Sequence, residues 1–168
     1  MSQNQIFRKL EKIRALATDV DGVLTNGAVY YGPEGERLKR FYIRDGMGFE
    51  RLRNAGYKVV VITGENSELV HRRMEKLLVE HYFPGAKDKY SLLVNWCREQ
   101  RLDPSELAYL GDDVNDISAM QMCGFKACPS DAFHQIRTLV DYVCHRPGGL
   151  GAFREVAELM LAHGPFRL

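Results

Sequence analysis

The chain has 168 residues, 45% hydrophobic and 27% charged, with a formal net charge of +1. This is the composition of one ordinary globular domain, residues 1–168, long enough to bury a proper core. The charge balance excludes a strongly basic nucleic-acid surface or one built for acidic membranes, and no apolar run is long enough to span a bilayer.

Residues 1–16 are polar and mixed, without the apolar core of a signal peptide. The run Ile13-Arg14-Ala15-Leu16-Ala17-Thr18 then leads into Asp19-Val20-Asp21-Gly22-Val23-Leu24-Thr25. On a strand, residues i and i+2 point to the same side, so Asp19 and Asp21 face one spot if the chain is still extended. Two carboxylates at one spot repel unless a cation or a difference in protonation separates their roles. A nucleophile and a general acid beside a metal is one use of that arrangement; a plain Asp-Gly turn is another.

Ala28-Val29-Tyr30-Tyr31 and Arg37-Leu38-Lys39-Arg40-Phe41 flank Gly32-Pro33-Glu34-Gly35, which predicts a β-hairpin inserted at 27–42. It is too small for a domain. Its Val29, Tyr31 and Leu38 are too apolar for a monomer surface, which points to a subunit contact. Residues 57–63 are β-branched and nearly continuous, as in a strand covered on both faces. That strand delivers Thr63-Gly64, a hydroxyl and a free backbone N–H that suit one phosphate oxygen.

Residues 67–78 place Leu69, Val70, Met74 and Leu77 on one helical stripe, and 90–100 do the same with Leu92, Leu93, Trp96 and Cys97. A short strand at 81–83 lies between them. Lys89 opens the second helix, where a cation works against the helix dipole; the placement makes sense if Lys89 meets a phosphate or Asp19. The run 107–111 ends in Gly111-Asp112-Asp113-Val114-Asn115-Asp116. Carboxylates suit a helix start, but adjacent aspartates at a strand end also call for a cation, and oxygen-rich sites with few ligands suit Mg2+. Short strands at 125–128 and 141–144 follow, then a Gly-rich loop before the last helix. The four cysteines, Cys97, Cys123, Cys128 and Cys144, lack Cys-x-x-Cys spacing and read as reduced thiols of a cytoplasmic protein.

This alternation predicts an α/β fold, a doubly wound parallel sheet with helices on both faces. Ligands bind such sheets at the carboxyl ends of the strands, where the strand order reverses. If the strands ending at Asp19 and Gly111 flank that point, the four polar elements converge.

Asp19-x-Asp21-Gly-x-x-Thr25, Thr63-Gly64, Lys89 and Gly111-Asp112-Asp113-x-x-Asp116 resemble, in order, the four motifs of the haloacid-dehalogenase superfamily of phosphatases, with its Rossmann-like core. The resemblance implies that Asp19 attacks phosphorus and that Asp21 protonates the leaving alkoxide, then activates water. It implies Mg2+ held by Asp19, Asp112 and the backbone carbonyl of Asp21, with Asp113 and Asp116 as supporting acids. Thr63, Gly64 and Lys89 would bind the phosphoryl group. Phosphoryl transfer depends above all on positioning and charge neutralisation, which this set supplies.

The spacing leaves no room for a cap domain, so the chain looks like the capless, tetrameric subgroup that acts on 3-deoxy-2-ulosonic acid phosphates. Arg146-Pro147-Gly148-Gly149-x-Gly151 and the hairpin are similar to that subgroup. Within it the markers divide. Arg44-Asp45-Gly46-x-Gly48 resembles the 3-deoxy-D-manno-octulosonate 8-phosphate phosphatases of lipopolysaccharide synthesis, which typically carry arginine after Thr-Gly. Glu65, which stands there instead, and Lys76 resemble the phosphatases of 2-keto-3-deoxy-D-glycero-D-galacto-nononate 9-phosphate. The balance leans to the nine-carbon substrate, with the eight-carbon one as the alternative; Glu65, Lys76, Arg44 and Arg146 are the candidate substrate contacts, Arg146 as a cross-subunit one. Two other classes compete. A receiver-type signalling domain would place its phosphoacceptor on a later strand than its acidic pair. A non-catalytic oligomerisation relative would lack a motif residue, and here none is missing.

Overall fold

The apolar runs expected to form strands do so. In the computed structural model, which describes residues 2–166, β1 is Ala15–Thr18 and the hairpin is β2 (Tyr30–Gly32) with β3 (Gly35–Leu38). Then come β4 (Lys58–Ile62), β5 (His81–Phe83), β6 (Leu107–Leu110), β7 (Phe125–Cys128) and β8 (Tyr142–Val143). All but the hairpin join one parallel sheet in the order β5-β4-β1-β6-β7-β8. The helices are α1 (Gln3–Leu10), α2 (Ile43–Asn54), α3 (Glu68–Lys76), α4 (Lys89–Gln100), α5 (Ile117–Gln121), α6 (His134–Leu139) and α7 (Ala152–His163). Met1, Arg167 and Leu168 of the expected domain lie outside the described residues. No helix among the described residues is long and apolar enough to cross a membrane.

The two faces of the sheet are read directly from strand periodicity. Leu16, Val61, Ala108 and Leu110 point to the core shared with α1, α2 and α7. Ala15, Ala17, Val60, Ile62, Leu107 and Tyr109 point to the core shared with α4 and α5. Both β1 and β6 are buried along their whole length, as central strands of a covered parallel sheet must be.

Helix α1 was not legible as a structural element in the mixed polar N-terminus. It buries Ile6 and Leu10, one turn apart, and the Ser2 N–H donates to Gln5 Oε1 at 2.9 Å as a cap. The Arg44-Asp45-Gly46-x-Gly48 segment has an architectural reason. Gly48 lets α2 approach α7, where a Cβ would lie 3.1 Å from the Phe153 ring, and Phe49 stacks on Phe153 with centroids 4.1 Å apart. Asp45 accepts the Arg154 N–H at 2.9 Å, satisfying one of the donors that open α7.

The Gly-rich loop before α7 is also more than a connection. A Cβ on Gly148 would sit 1.9 Å from the Gly22 carbonyl oxygen, and the Gly149 N–H donates to the Val23 carbonyl at 2.9 Å. Glycine here lets the loop lie flat beneath the turn that follows β1.

Candidate active site

Burying a polar side chain is costly unless it finds partners, yet Asp19, Thr63, Lys89 and Asp116 are each at most 4% exposed. They gather at one end of the sheet. β1 and β6 are neighbours with Thr18 opposite Leu110, so Asp19 and Asp112 leave the sheet side by side. β4 and β5 extend to one flank of β1 and β6 to β8 to the other, so the strand order reverses here.

Lys89 holds the floor of the site. Its Nζ lies 2.6 Å from Asp19 Oδ2 and 2.7 Å from Asp116 Oδ1. Asp88 caps α4 by accepting the Ser91 N–H at 3.0 Å, which fixes where Lys89 begins. Burial works against the ammonium, and the two carboxylates more than offset it, so its pKa lies above the ordinary lysine value. Asp116 is fully engaged. Its Oδ1 also accepts the Tyr109 hydroxyl at 2.7 Å, and its Oδ2 accepts the Asp112 N–H at 3.1 Å.

After Asp19 the chain does not stay extended. The N–H groups of Val23, Leu24 and Thr25 all converge on the Val20 carbonyl. Gly22 adopts φ +76°, and a Cβ there would lie 1.9 Å from Asp112 Oδ2, so this turn needs glycine for both backbone and space. Asp21 emerges from the turn into the cleft. Its Oδ1 and Oδ2 accept from Lys39 Nζ at 2.7 and 2.9 Å, and the Thr25 hydroxyl stands 3.4 Å from Oδ1. On the other wall, Thr63 Oγ1 accepts the Glu65 N–H at 3.3 Å, which leaves the hydroxyl hydrogen for a ligand.

Asp19, Asp21, Thr63, Gly64, Glu65 and Asp112 line one cleft of about 310 Å3, with Asp113 at its edge. Asp113 itself is exposed and accepts the Val114 N–H at 2.7 Å, opening the turn after β6. Three of the expected substrate contacts lie elsewhere. Lys76 ends α3 in solvent. Arg44 and Arg146 line a separate cavity of about 590 Å3 between α2 and α7, together with Arg154. Sequence reasoning missed Lys39 and Tyr109. The signal for Lys39 was the strand alternation that sends Leu38 outward and so its neighbour inward; Tyr109 reads from sequence as ordinary core.

The donor set fits a divalent cation. Carboxylate oxygens of Asp19, Asp112 and Asp116 lie within 4.8 Å of one another. Asp112 Oδ1 is buried without a hydrogen-bond partner among the described residues, and such an acceptor is expensive unless a cation or donor meets it. An all-oxygen set is suited to Mg2+.

Comparison with known proteins places these features in a family. Residues 43–124 match the family model of the haloacid dehalogenase-like hydrolases. The 3-deoxy-D-manno-octulosonate 8-phosphate phosphatase of Haemophilus influenzae is 36% identical over 154 residues, 92% of this chain and 86% of that protein. The crystal structure of the Moraxella catarrhalis phosphatase of the same name, in complex with magnesium ion, phosphate ion and a KDO molecule, superposes with a TM-score of 0.93. It is 37% identical, over 97% of this chain and 94% of that one. The cobalt-bound structure of the Haemophilus influenzae phosphatase gives a TM-score of 0.89 at 36% identity, covering 92% of this chain and 91% of that one.

The carboxylate cluster makes metal binding and stability depend on pH. Burial first, and the charge of Asp116 next, raise the Asp19 pKa to about 7 against the pull of Lys89. Burial with Asp19, Asp116 and Asp113 raises Asp112 to about 8. The ordinary value is 3.8, so the metal-free folded protein keeps protons that the unfolded chain has released. Its stability therefore falls as pH rises from about 4 to about 8. A divalent cation substitutes for those protons. Thermal unfolding should show a Tm gain from Mg2+ over EDTA that is larger at about pH 8 than at about pH 5. An equal gain at both would place the cation away from this cluster.

Proposed function

The chain belongs to the haloacid dehalogenase-like hydrolases, among the relatives of the 3-deoxy-D-manno-octulosonate 8-phosphate phosphatases, and from that premise we propose that it removes the phosphate of the eight-carbon sugar acid. It is a Mg2+-dependent phosphoric monoester hydrolase. The observation that carries the proposal is the convergence of Asp19, Asp21, Thr63 and Asp112 on one cleft. The nine-carbon preference drawn from Glu65 and Lys76 gives way. Glu65 lines the cleft but Lys76 does not, and the Haemophilus influenzae and Moraxella catarrhalis relatives are named for the eight-carbon substrate.

The positions of the cleft residues support the roles that the family resemblance implies. A carboxylate oxygen of Asp19 attacks phosphorus while the bond to the leaving sugar oxygen breaks, and Asp21 gives that oxygen a proton. Asp21 then takes a proton from water as the water attacks the aspartyl-phosphate, which frees Asp19 and inorganic phosphate. Thr63 and the Gly64 N–H hold phosphoryl oxygens. Lys89 holds Asp19 in place against Asp116 and balances its charge. Asp19, Asp112 and the Asp21 carbonyl would hold Mg2+, which supplies charge neutralisation at the phosphoryl group.

We propose that the protein assembles as a homotetramer in the cytoplasm. The hairpin exposes Tyr30 at 54%, Tyr31 at 77% and Leu38 at 64%, and the start of α2 exposes Ile43 at 81%. These are large apolar side chains that one chain leaves uncovered. Arg44 and Arg146, which line another cavity of their own chain, are then available to a neighbour's cleft.

Three outcomes test this. Asp19→Asn keeps the shape without the anionic attacker and should reduce kcat by at least about a thousandfold; turnover above about a few per cent of the parent's would remove the covalent mechanism. In parallel assays, kcat/KM for the eight-carbon acid phosphate should exceed that for the nine-carbon one by about tenfold or more; the reverse order would restore the nine-carbon assignment. Light scattering at micromolar concentration should report four chains, and an active monomer would separate the apolar hairpin from assembly.

A further inference from the structure

A lysine side chain that is 1% exposed on a hairpin of exposed residues needs a reason. Leu38 is 64% exposed and Tyr31 77%, yet the next residue after Leu38, Lys39, turns inward with its side chain buried. Burial disfavours the charged ammonium, and Asp21 and then Glu36 more than offset it. Nζ lies 2.7 and 2.9 Å from the two oxygens of Asp21, and 3.3 Å from Glu36 Oε1. The other oxygen of Glu36 accepts the hydroxyl of Ser67, the residue that precedes α3. A line of polar contacts therefore runs from the turn after β1, through the hairpin, to the helix that follows the Thr63-Gly64 loop.

We infer that Lys39 is a positioning residue for Asp21, and that the hairpin thereby sets the orientation of the group that exchanges protons with the leaving oxygen and with water. Without Lys39, Asp21 keeps, among the described residues, only the Thr25 hydroxyl at 3.4 Å, too long to fix a carboxyl that must point first at one oxygen and then at another. Because Nζ reaches both oxygens, one contact survives when the other oxygen carries the proton. Glu36, tied to Ser67, holds the lysine from behind and keeps its chain from swinging into solvent. The inference rests on the reading of Asp21 as the proton donor and acceptor.

Leaving-group dependence separates positioning of Asp21 from general support of the fold. Phenyl and p-nitrophenyl phosphate share a ring, but the phenolate is far more basic and needs the proton more. kcat/KM reports the step in which the leaving-group bond breaks. With saturating Mg2+, Lys39→Met should lose about tenfold more kcat/KM on phenyl phosphate than on p-nitrophenyl phosphate. Lys39→Arg should recover part of that difference. Glu36→Gln, which leaves the contacts to Asp21 in place, should shift the ratio the same way by less, and it carries the test if Lys39→Met does not fold by circular dichroism. Asp21→Asn is the reference. If it shows no leaving-group preference, the reading of Asp21 fails. If it does show one while the Lys39 and Glu36 variants lose equally on both esters or lose nothing, the role of Lys39 is overturned.

Discussion

The site is organised around one buried ammonium. Lys89 Nζ sits between Asp19 and Asp116 at 2.6 and 2.7 Å, and an ion so deeply placed is tolerated only with partners on several sides. Those partners constrain everything else. Asp116 can face Lys89 because Gly111 carries no Cβ, which would lie 2.4 Å from its carboxylate, and because Tyr109 holds the same oxygen from β6. Asp19 is thereby pinned at the end of β1. Asp112 is aligned in turn, since its N–H donates to Asp116. One cation is still too few for this cluster. The raised values of Asp19 and Asp112 express that shortage, and a divalent metal relieves it without adding a proton to Asp19.

Much of this was legible in the sequence because it is local. Uninterrupted apolar runs gave the central strands almost to the residue, since a strand covered on both faces has no polar positions to blur its ends. Lys89 stood out because a lysine opposes the dipole at a helix start, and it proves to be paired with Asp19, one of the two partners that placement suggested. The i, i+2 spacing of Asp19 and Asp21 led to the right cleft by an incomplete route: β1 stops at Thr18 and a glycine turn, not an extended strand, presents Asp21.

What the sequence hid was long-range. Nothing near Lys39 in the chain says that it meets Asp21, because the contact depends on how the hairpin folds back over the turn. Gly148 and Gly149 looked like loop residues, and only the packed structure shows the Gly22 carbonyl that excludes a side chain. Arg44 and Arg146 looked like substrate ligands because the resemblance groups them with the site. Within one chain they line a separate cavity with Tyr42, Arg154 and Glu155 and not the cleft. Local chemistry is written in local sequence; the choice of which loops meet is written in the packing of two cores.

That separation bears on selectivity. The cleft lining includes Asp19, Asp21, Glu65, Asp112 and Asp113, and the two lysines beside it are already engaged, Lys39 with Asp21 and Lys89 with Asp19 and Asp116. A sugar-acid phosphate brings a phosphate and a carboxylate, so both ends of the substrate are anionic. The metal and the loop donors can answer the phosphate. Nothing lining this chain's own cleft answers the carboxylate, and Glu65 would repel it. Binding differences felt in the transition state decide between substrates, and for this substrate class they require a cation near the far end of the sugar. A capless fold has no second domain to supply one. In the tetramer we propose, a neighbour's arginine supplies the cation for the carboxylate and Glu65 meets the sugar hydroxyls.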